Sequence, residues 1–327
     1  MELDYQRVLS LCRAKLADKP VKEIYTLADL KNWEKTARNI DPPVRLAVFG
    51  DPVAHSASPL MQNAALHACA IDAQYVRFHI IPQELETALR LLPKLNFIGV
   101  NLTTPHKAAA HGLMDALDER AQRIGAINTA SIDGEKLVGW NTDGFGFARA
   151  IRSEFSVDLR DLRVMVLGVG GGAGRAIAWQ CALERCERLV LVNRTLVKAK
   201  ELERELARYF TGPRLLGPVA RLETIPWEES PLRFQLSQID LVVNATPLGM
   251  NQTDASPIPI SLLAPHLMIF DAIYKSVTTP LLRATADAGA RGANGLAMLL
   301  HQGALAFEIW FNRPAPIAEM RQALVAG

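Results

Sequence analysis

Along most of this chain, short apolar runs alternate with longer segments in which apolar residues recur at helical spacing. Val44 to Phe49 is a short apolar run that ends at Gly50-Asp51-Pro52, the pattern of a buried strand and its turn. Pro59 to Ala70 then predicts a helix, Gln74 to Ile80 a strand, Pro82 to Leu92 a helix and Phe97 to Leu102 a strand. A second alternating set opens after Leu162. It predicts strands over Arg163–Leu167, Arg188–Asn193, Ile239–Asn244 and His266–Ala272, with helices over Gly172–Glu184 and Leu196–Tyr209. Strands separated by helices imply βαβ units, parallel sheets and the α/β class. Residues 1–44 differ. Apolar positions repeat at helical spacing from Glu2 to Leu16, and Asp41-Pro42-Pro43 closes the segment, so a charged helical leader docked on the body is expected. Thr211 to Gln238 carries the weakest pattern, and no internal repeat is visible.

Composition narrows the function. The chain has 327 residues, 49% of them hydrophobic and 21% charged, which suits two soluble domains. Its 36 basic and 34 acidic side chains leave a net charge of +2 with no block of like charge. No nucleic acid and no membrane surface is therefore expected as a partner, since either usually selects a basic patch. Cys12, Cys69, Cys181 and Cys186 are too few and too scattered for a disulfide framework, and no Cys/His cluster has metal-site spacing. The N-terminus lacks the lysines and apolar core of a signal peptide, and the apolar stretch Gly295 to Phe311 is broken by His301, Gln302 and Glu308. A cytoplasmic protein with no metal is expected.

Gly168-Val169-Gly170-Gly171-Gly172-Ala173-Gly174-Arg175 lies between a predicted strand and a predicted helix. That context fits a dinucleotide-binding turn: glycines let backbone approach a pyrophosphate, and the helix start offers free N–H groups and a positive dipole end. The next strand ends at Asn193-Arg194-Thr195, where an NAD site would place an acid against the ribose. Here the acid is missing, and Arg194 and Lys198 offer two cations suited to a 2′-phosphate, which favours NADP.

A second polar set precedes the glycine turn. His55-Ser56-Ala57-Ser58-Pro59 puts two hydroxyls ahead of a helix, a cradle for a carboxylate. Asn101-Leu102-Thr103-Thr104-Pro105-His106-Lys107 follows a strand, at the end of a parallel sheet where ligands bind. Gly125-Ala126-Ile127-Asn128-Thr129 and Asn141-Thr142-Asp143-Gly144 add an amide, hydroxyls and an acid.

Taken in order with Asn244-Ala245-Thr246-Pro247-Leu248-Gly249-Met250, Asp271-Ala272-Ile273-Tyr274 and the run from Gly295 to Gln302, these strings resemble the shikimate dehydrogenases over residues 45–312. The resemblance implies two α/β domains: a substrate domain over 1–142, a Rossmann-type NADP domain over 143–295, and C-terminal helices, 296–327, returning to the first. It implies NADPH-dependent reversible reduction of 3-dehydroshikimate to shikimate in aromatic amino acid biosynthesis, by a monomer or homodimer. By the same resemblance, Lys107 and Asp143 form the catalytic pair and Ser56 and Ser58 hold the substrate carboxylate. Thr103, Asn128, Tyr274 and Gln302 line the ring hydroxyls. Gly168, Gly170, Gly171, Gly172 and Ala173 meet the pyrophosphate, and Asn193, Arg194, Thr195 and Lys198 the adenosine phosphate. Thr246, Met250, Gly295 and Met298 lie along the cofactor towards the nicotinamide.

The chain departs from the family pattern in three places. The glycine turn holds one residue more than usual, Gln62-Asn63 stands where a His-Asn pair is common, and residues 1–44 lie outside the resemblance. A quinate/shikimate dehydrogenase with dual substrate use is the alternative within the same class, although quinate users of the family often carry threonine where Ser58 stands. A non-catalytic sensor of the same fold is the alternative from another class, and retention of both Lys107 and Asp143 argues against it.

Overall fold

The computed structural model describes residues 22–211, 220–251, 253–274 and 278–326. Two sheets organise them. The first contains β1 (Ile24–Thr26), β2 (Val44–Gly50), β3 (Gln74–His79), β4 (Gly99–Leu102), β5 (Ala116–Leu117), β6 (Thr129–Asp133) and β7 (Lys136–Trp140), in the order β1-β3-β2-β4-β6-β7-β5. β1, β3, β2 and β4 run parallel, whereas β6 runs antiparallel to both neighbours. The expectation of a purely parallel sheet is thus corrected on this side. The Asp133-Gly134 turn, with Gly134 at φ +60°, folds β6 back onto β7 as a hairpin.

Both faces of this sheet are covered, which is why its central strands are apolar throughout. Ala47, Phe49, Val76, Phe78, Val100 and Leu102 belong to one core. Leu46, Val48 and Tyr75 face the other, beneath α1 (Ser58–Ala68) and the two C-terminal helices.

The second sheet is wholly parallel. It contains β8 (Arg163–Leu167), β9 (Arg188–Val192), β10 (Leu222–Ile225), β11 (Leu241–Asn244), β12 (Met268–Asp271) and β13 (Arg291–Asn294), ordered β10-β9-β8-β11-β12-β13. Counted within this half the order is 3-2-1-4-5-6, the doubly wound arrangement of dinucleotide-binding sheets. Between the halves lies α2 (Asp143–Phe155), followed after β8 by α3 (Gly172–Leu183) and after β9 by α4 (Leu196–Leu206). The last helices, α5 (Leu296–Phe311) and α6 (Ile317–Ala326), return to the first half. Ala297 and Met298 at the start of α5 join the second half's core, while Leu299 to Trp310 and α6 pack with α1. No helix among the described residues is long and apolar enough to cross a membrane.

Residues 22–44 correct the expectation of a helical leader; Glu2 to Leu16 and Cys12 lie outside the described residues. Ile24–Thr26 adds a parallel edge strand to β3, and the short helical turns Leu27–Lys31 and Trp33–Thr36 cap that corner. Trp33 is buried among Tyr25, Phe78 and Phe97, with ring centroids 5.5–5.6 Å away. This segment is therefore core rather than appendage. Trp33→Ala should cost about 3–5 kcal/mol of unfolding free energy in a urea titration, as truncating a buried Trp does. A loss below about 1 kcal/mol would show that the segment only leans on the body.

Candidate active site

In the first sheet the chain leaves β2 towards β3 and returns to β4 on β2's other side, so the strand ends diverge between β2 and β4. Ligand crevices form at such switch points. Backbone bonds seal the loops there: Thr103 donates to the Phe49 carbonyl at 3.0 Å and Asp51 to that of Thr104 at 3.0 Å. Leu102 donates to the Asn128 carbonyl at 2.8 Å, which brings the entry to β6 beside the end of β4. Ser56, Ser58, Thr103, Lys107, Asn128 and Asp143 therefore surround one edge, although the sequence sets them far apart.

The Lys107 Nζ donates to Asp143 Oδ2 at 2.6 Å, with the side chains 17% and 5% exposed. Asp143 is the first residue of α2, so the positive end of the helix dipole also favours its carboxylate. Asn128 is the hub of the buried polar network around it. Its Nδ2 lies 2.8 Å from Asp143 Oδ1, 2.9 Å from Thr142 Oγ1 and 3.1 Å from Gln302 Oε1. Its Oδ1 accepts from the Thr142 N–H at 2.8 Å. Behind it, Asn101 donates to Thr129 Oγ1 at 3.0 Å and accepts from the Tyr75 hydroxyl at 2.7 Å. An ammonium held on a nearly buried carboxylate, reachable from a crevice, is equipped to pass a proton to or from a bound oxygen.

The other side of the crevice is a hydroxyl cluster. Ser56 and Ser58 are buried, and the Ser58 N–H reaches Ser56 Oγ at 3.4 Å. Burial pushes the Tyr274 phenol above the ordinary tyrosine range, and it sits against the Ala57 backbone and the Ser56 hydroxyl. Burial raises Tyr75 further still, beside the Ser58 hydroxyl. Asn101 belongs to the polar string expected at this edge, but Tyr75 has no expected role from sequence: a tyrosine within an apolar strand reads as core, and its face becomes known only with the pairing. Gln62, where the family pattern departs, is buried and donates to the Gly303 carbonyl of α5 at 2.9 Å.

At the second sheet the switch point lies between β8 and β11, its first and fourth strands. Gly168 ends β8 at φ +89°, a conformation that suits glycine, and an added Cβ would stand 2.5 Å from Thr246 Cγ2. Gly170 donates to Asn193 Oδ1 at 3.0 Å, Gly171 is the N-cap of α3, and Gly172 and Ala173 open the helix. The Arg194, Thr195 and Lys198 side chains are exposed, and among the described residues no acid pairs with either cation. Thr246 Oγ1 donates to Asn244 Oδ1 at 2.7 Å, and Met250 is exposed on the following loop. Gly295 caps α5, and Met298 is buried one turn further on. The glycine-rich turn, the open helix start and the two free cations fit a dinucleotide carrying a 2′-phosphate. Among the described residues no group of three or more His, Cys, Asp or Glu is placed to hold a metal.

The two halves meet at the chemistry. A Cβ on Gly172 would lie 3.2 Å from Lys107 Cβ and Cδ, so the longer glycine turn rests against the stem of the lysine. Arg175 bonds the Ile124 carbonyl of the first half through Nε and pairs with Glu205 of α4 at 2.6 Å.

Comparison with known proteins agrees with this geometry. Residues 48–130 match the family model of the shikimate dehydrogenase substrate binding domain, and residues 295–325 that of the shikimate 5'-dehydrogenase C-terminal domain. The chain is 40% identical to a shikimate dehydrogenase (NADP(+)) of Symbiobacterium thermophilum over 86% of its own length and 93% of that protein's. The crystal structure of shikimate 5-dehydrogenase from Thermus thermophilus, in complex with NADP(H) and shikimate, superposes with a TM-score of 0.75. That pair shares 34% identity over 86% of this chain and 99% of the other. A quinate dehydrogenase from Corynebacterium glutamicum in complex with NAD has the same fold, with a TM-score of 0.76 at 26% identity over 87% and 99% of the two chains.

Proposed function

The chain belongs to the shikimate dehydrogenase family, and on that basis we propose that it interconverts 3-dehydroshikimate and shikimate with NADP(H). The observation that carries the reading is the 2.6 Å Lys107–Asp143 contact, set between the paired serines and the glycine-rich turn. We assign the described residues of 1–142 and 296–327 to the substrate side of the cleft, and those of 143–295 to the NADP side.

NADPH, when bound, supplies the hydride that reduces the C3 carbonyl carbon of the substrate. Everything else falls to the chain. Ser56 and Ser58 hold the carboxylate, and Thr103, Asn128, Tyr274 and Gln302 orient the ring through its hydroxyls. As negative charge builds on the carbonyl oxygen, Lys107 passes it a proton from Nζ, and Asp143 keeps that nitrogen in place. In the oxidation direction the same nitrogen accepts the hydroxyl proton. Gly168, Gly170, Gly171, Gly172 and Ala173 bring backbone to the pyrophosphate, and Asn193, Arg194, Thr195 and Lys198 receive the 2′-phosphate. Thr246, Met250, Gly295 and Met298 lie along the nicotinamide half. The reading places the enzyme in the cytoplasm, in the pathway that leads to the aromatic amino acids, as a monomer or homodimer.

Proton transfer is needed mainly in the transition state, so Lys107→Ala should lower kcat by roughly 10²–10⁴ while KM for shikimate changes far less. Equal, mild effects on both parameters in steady-state assays would make Lys107 a binding residue instead. Charge-assisted hydrogen bonds contribute about 1.5–3 kcal/mol each, so Arg194→Ala should weaken NADP by roughly tenfold to a hundredfold and leave NAD nearly unchanged. A variant that loses both dinucleotides alike would remove Arg194 from phosphate recognition.

A further inference from the structure

The serine pair that receives the carboxylate has a cation behind it that lies outside every motif string described above. Arg77 lies on β3, two residues from Tyr75 and so on the same face of the sheet, beneath the loop that carries Ser56 and Ser58. Its Nε and one terminal nitrogen both donate to the Ser56 carbonyl, at 3.0 and 2.7 Å. The group is half-buried, and no carboxylate lies within ion-pair distance of it among the described residues. Asp51, which follows the neighbouring strand β2, is taken by His79 at 2.8 Å. A guanidinium has five N–H donors, and a single neutral carbonyl occupies two of its nitrogens.

The charge at this corner is one-sided. The Arg77 field favours ionisation of both Tyr75 and Tyr274, against the burial that holds those phenols up. Besides Arg77, the groups that act on these phenols are the Ser56 and Ser58 hydroxyls and the Ala57 backbone, with Tyr274 itself acting on Tyr75. Half-burying a cation with no anion is unfavourable unless an anion arrives. The substrate proposed above brings one, at the serine cradle whose backbone Arg77 holds.

We propose that Arg77 supplies the positive charge of the carboxylate subsite and thereby makes the enzyme selective for an acid over an uncharged ring polyol. The assignment rests on the proposed reaction, and it separates charge from mere support of the Ser56 loop. Support would help any ring that fills the pocket; charge helps only the anion.

The test compares shikimate with its methyl ester in the unmodified protein, Arg77→Gln and Arg77→Lys, with NADP saturating. Arg77→Gln should raise KM for shikimate by about tenfold to a hundredfold with kcat held within about threefold, as expected for a lost charge-assisted contact. The ester should be affected far less, so the acid-to-ester ratio of kcat/KM should collapse by at least about tenfold. Arg77→Lys keeps the charge and should keep that ratio within about threefold of the unmodified value. An equal loss for acid and ester in Arg77→Gln overturns the assignment, as does an unchanged ratio. If the Gln variant does not fold, Arg77→Lys decides: a collapsed ratio there overturns it. Failure of the unmodified protein to oxidise shikimate refutes the proposed reaction itself, and the Arg77 assignment falls with it.

Discussion

Removing a carboxylate from water costs several kcal/mol unless charge and hydrogen bonds replace the solvent, and Asp143 is only 5% exposed. Lys107, the Asn128 amide and the start of α2 together replace it. Each comes from a different part of the chain, so this one carboxylate requires the end of β4, the entry to β6 and the hinge into the second half to be in register. The same requirement places the lysine. Its ammonium is drawn to the carboxylate while its stem lies along Gly172, the point where the second half touches the first.

The two sheets solve a shared problem in the same way. In each, the chain leaves a central strand on one side and returns on its other side, β2 in the first sheet and β8 in the second, and the loops at that point splay apart to leave a crevice. One crevice is furnished with hydroxyls, amides and a guanidinium; the other has a glycine turn, a helix start and two cations that no acid among the described residues pairs with. α5 ties them together, since its first turn belongs to one core and its remainder to the other. Holding a hydride donor and an acceptor in two crevices joined by α2 and α5 fixes a bimolecular geometry before the reaction begins.

Much of this was legible in the order of residues, for identifiable reasons. Val44–Gly50 and Arg163–Leu167 are buried on both faces and so stand out as apolar runs. The glycine turn is legible because its flanking strand and helix are. β1 was not, because three residues supply no period and its stability comes from pairing with β3. β6 and β7 were hidden between two polar strings that stand out for their chemistry, although Asp133-Gly134 is a hairpin signal. β10 lies in the weakly patterned segment and is half-exposed along most of its length. Tyr75 and Arg77 escaped for another reason: on a strand, a polar residue becomes part of a site only when its neighbours' faces are known.

The most direct test of the whole account is the initial rate of NADPH or NADH formation from shikimate and from quinate, with NADP and NAD compared as the oxidant. Quinate carries an additional hydroxyl beside its carboxylate, and an unpaired buried hydroxyl costs about 1–3 kcal/mol. The account predicts a kcat/KM for shikimate with NADP at least roughly tenfold above that for quinate, and NADP preferred to NAD. Comparable values for the two acids, or better turnover with NAD, would contradict it.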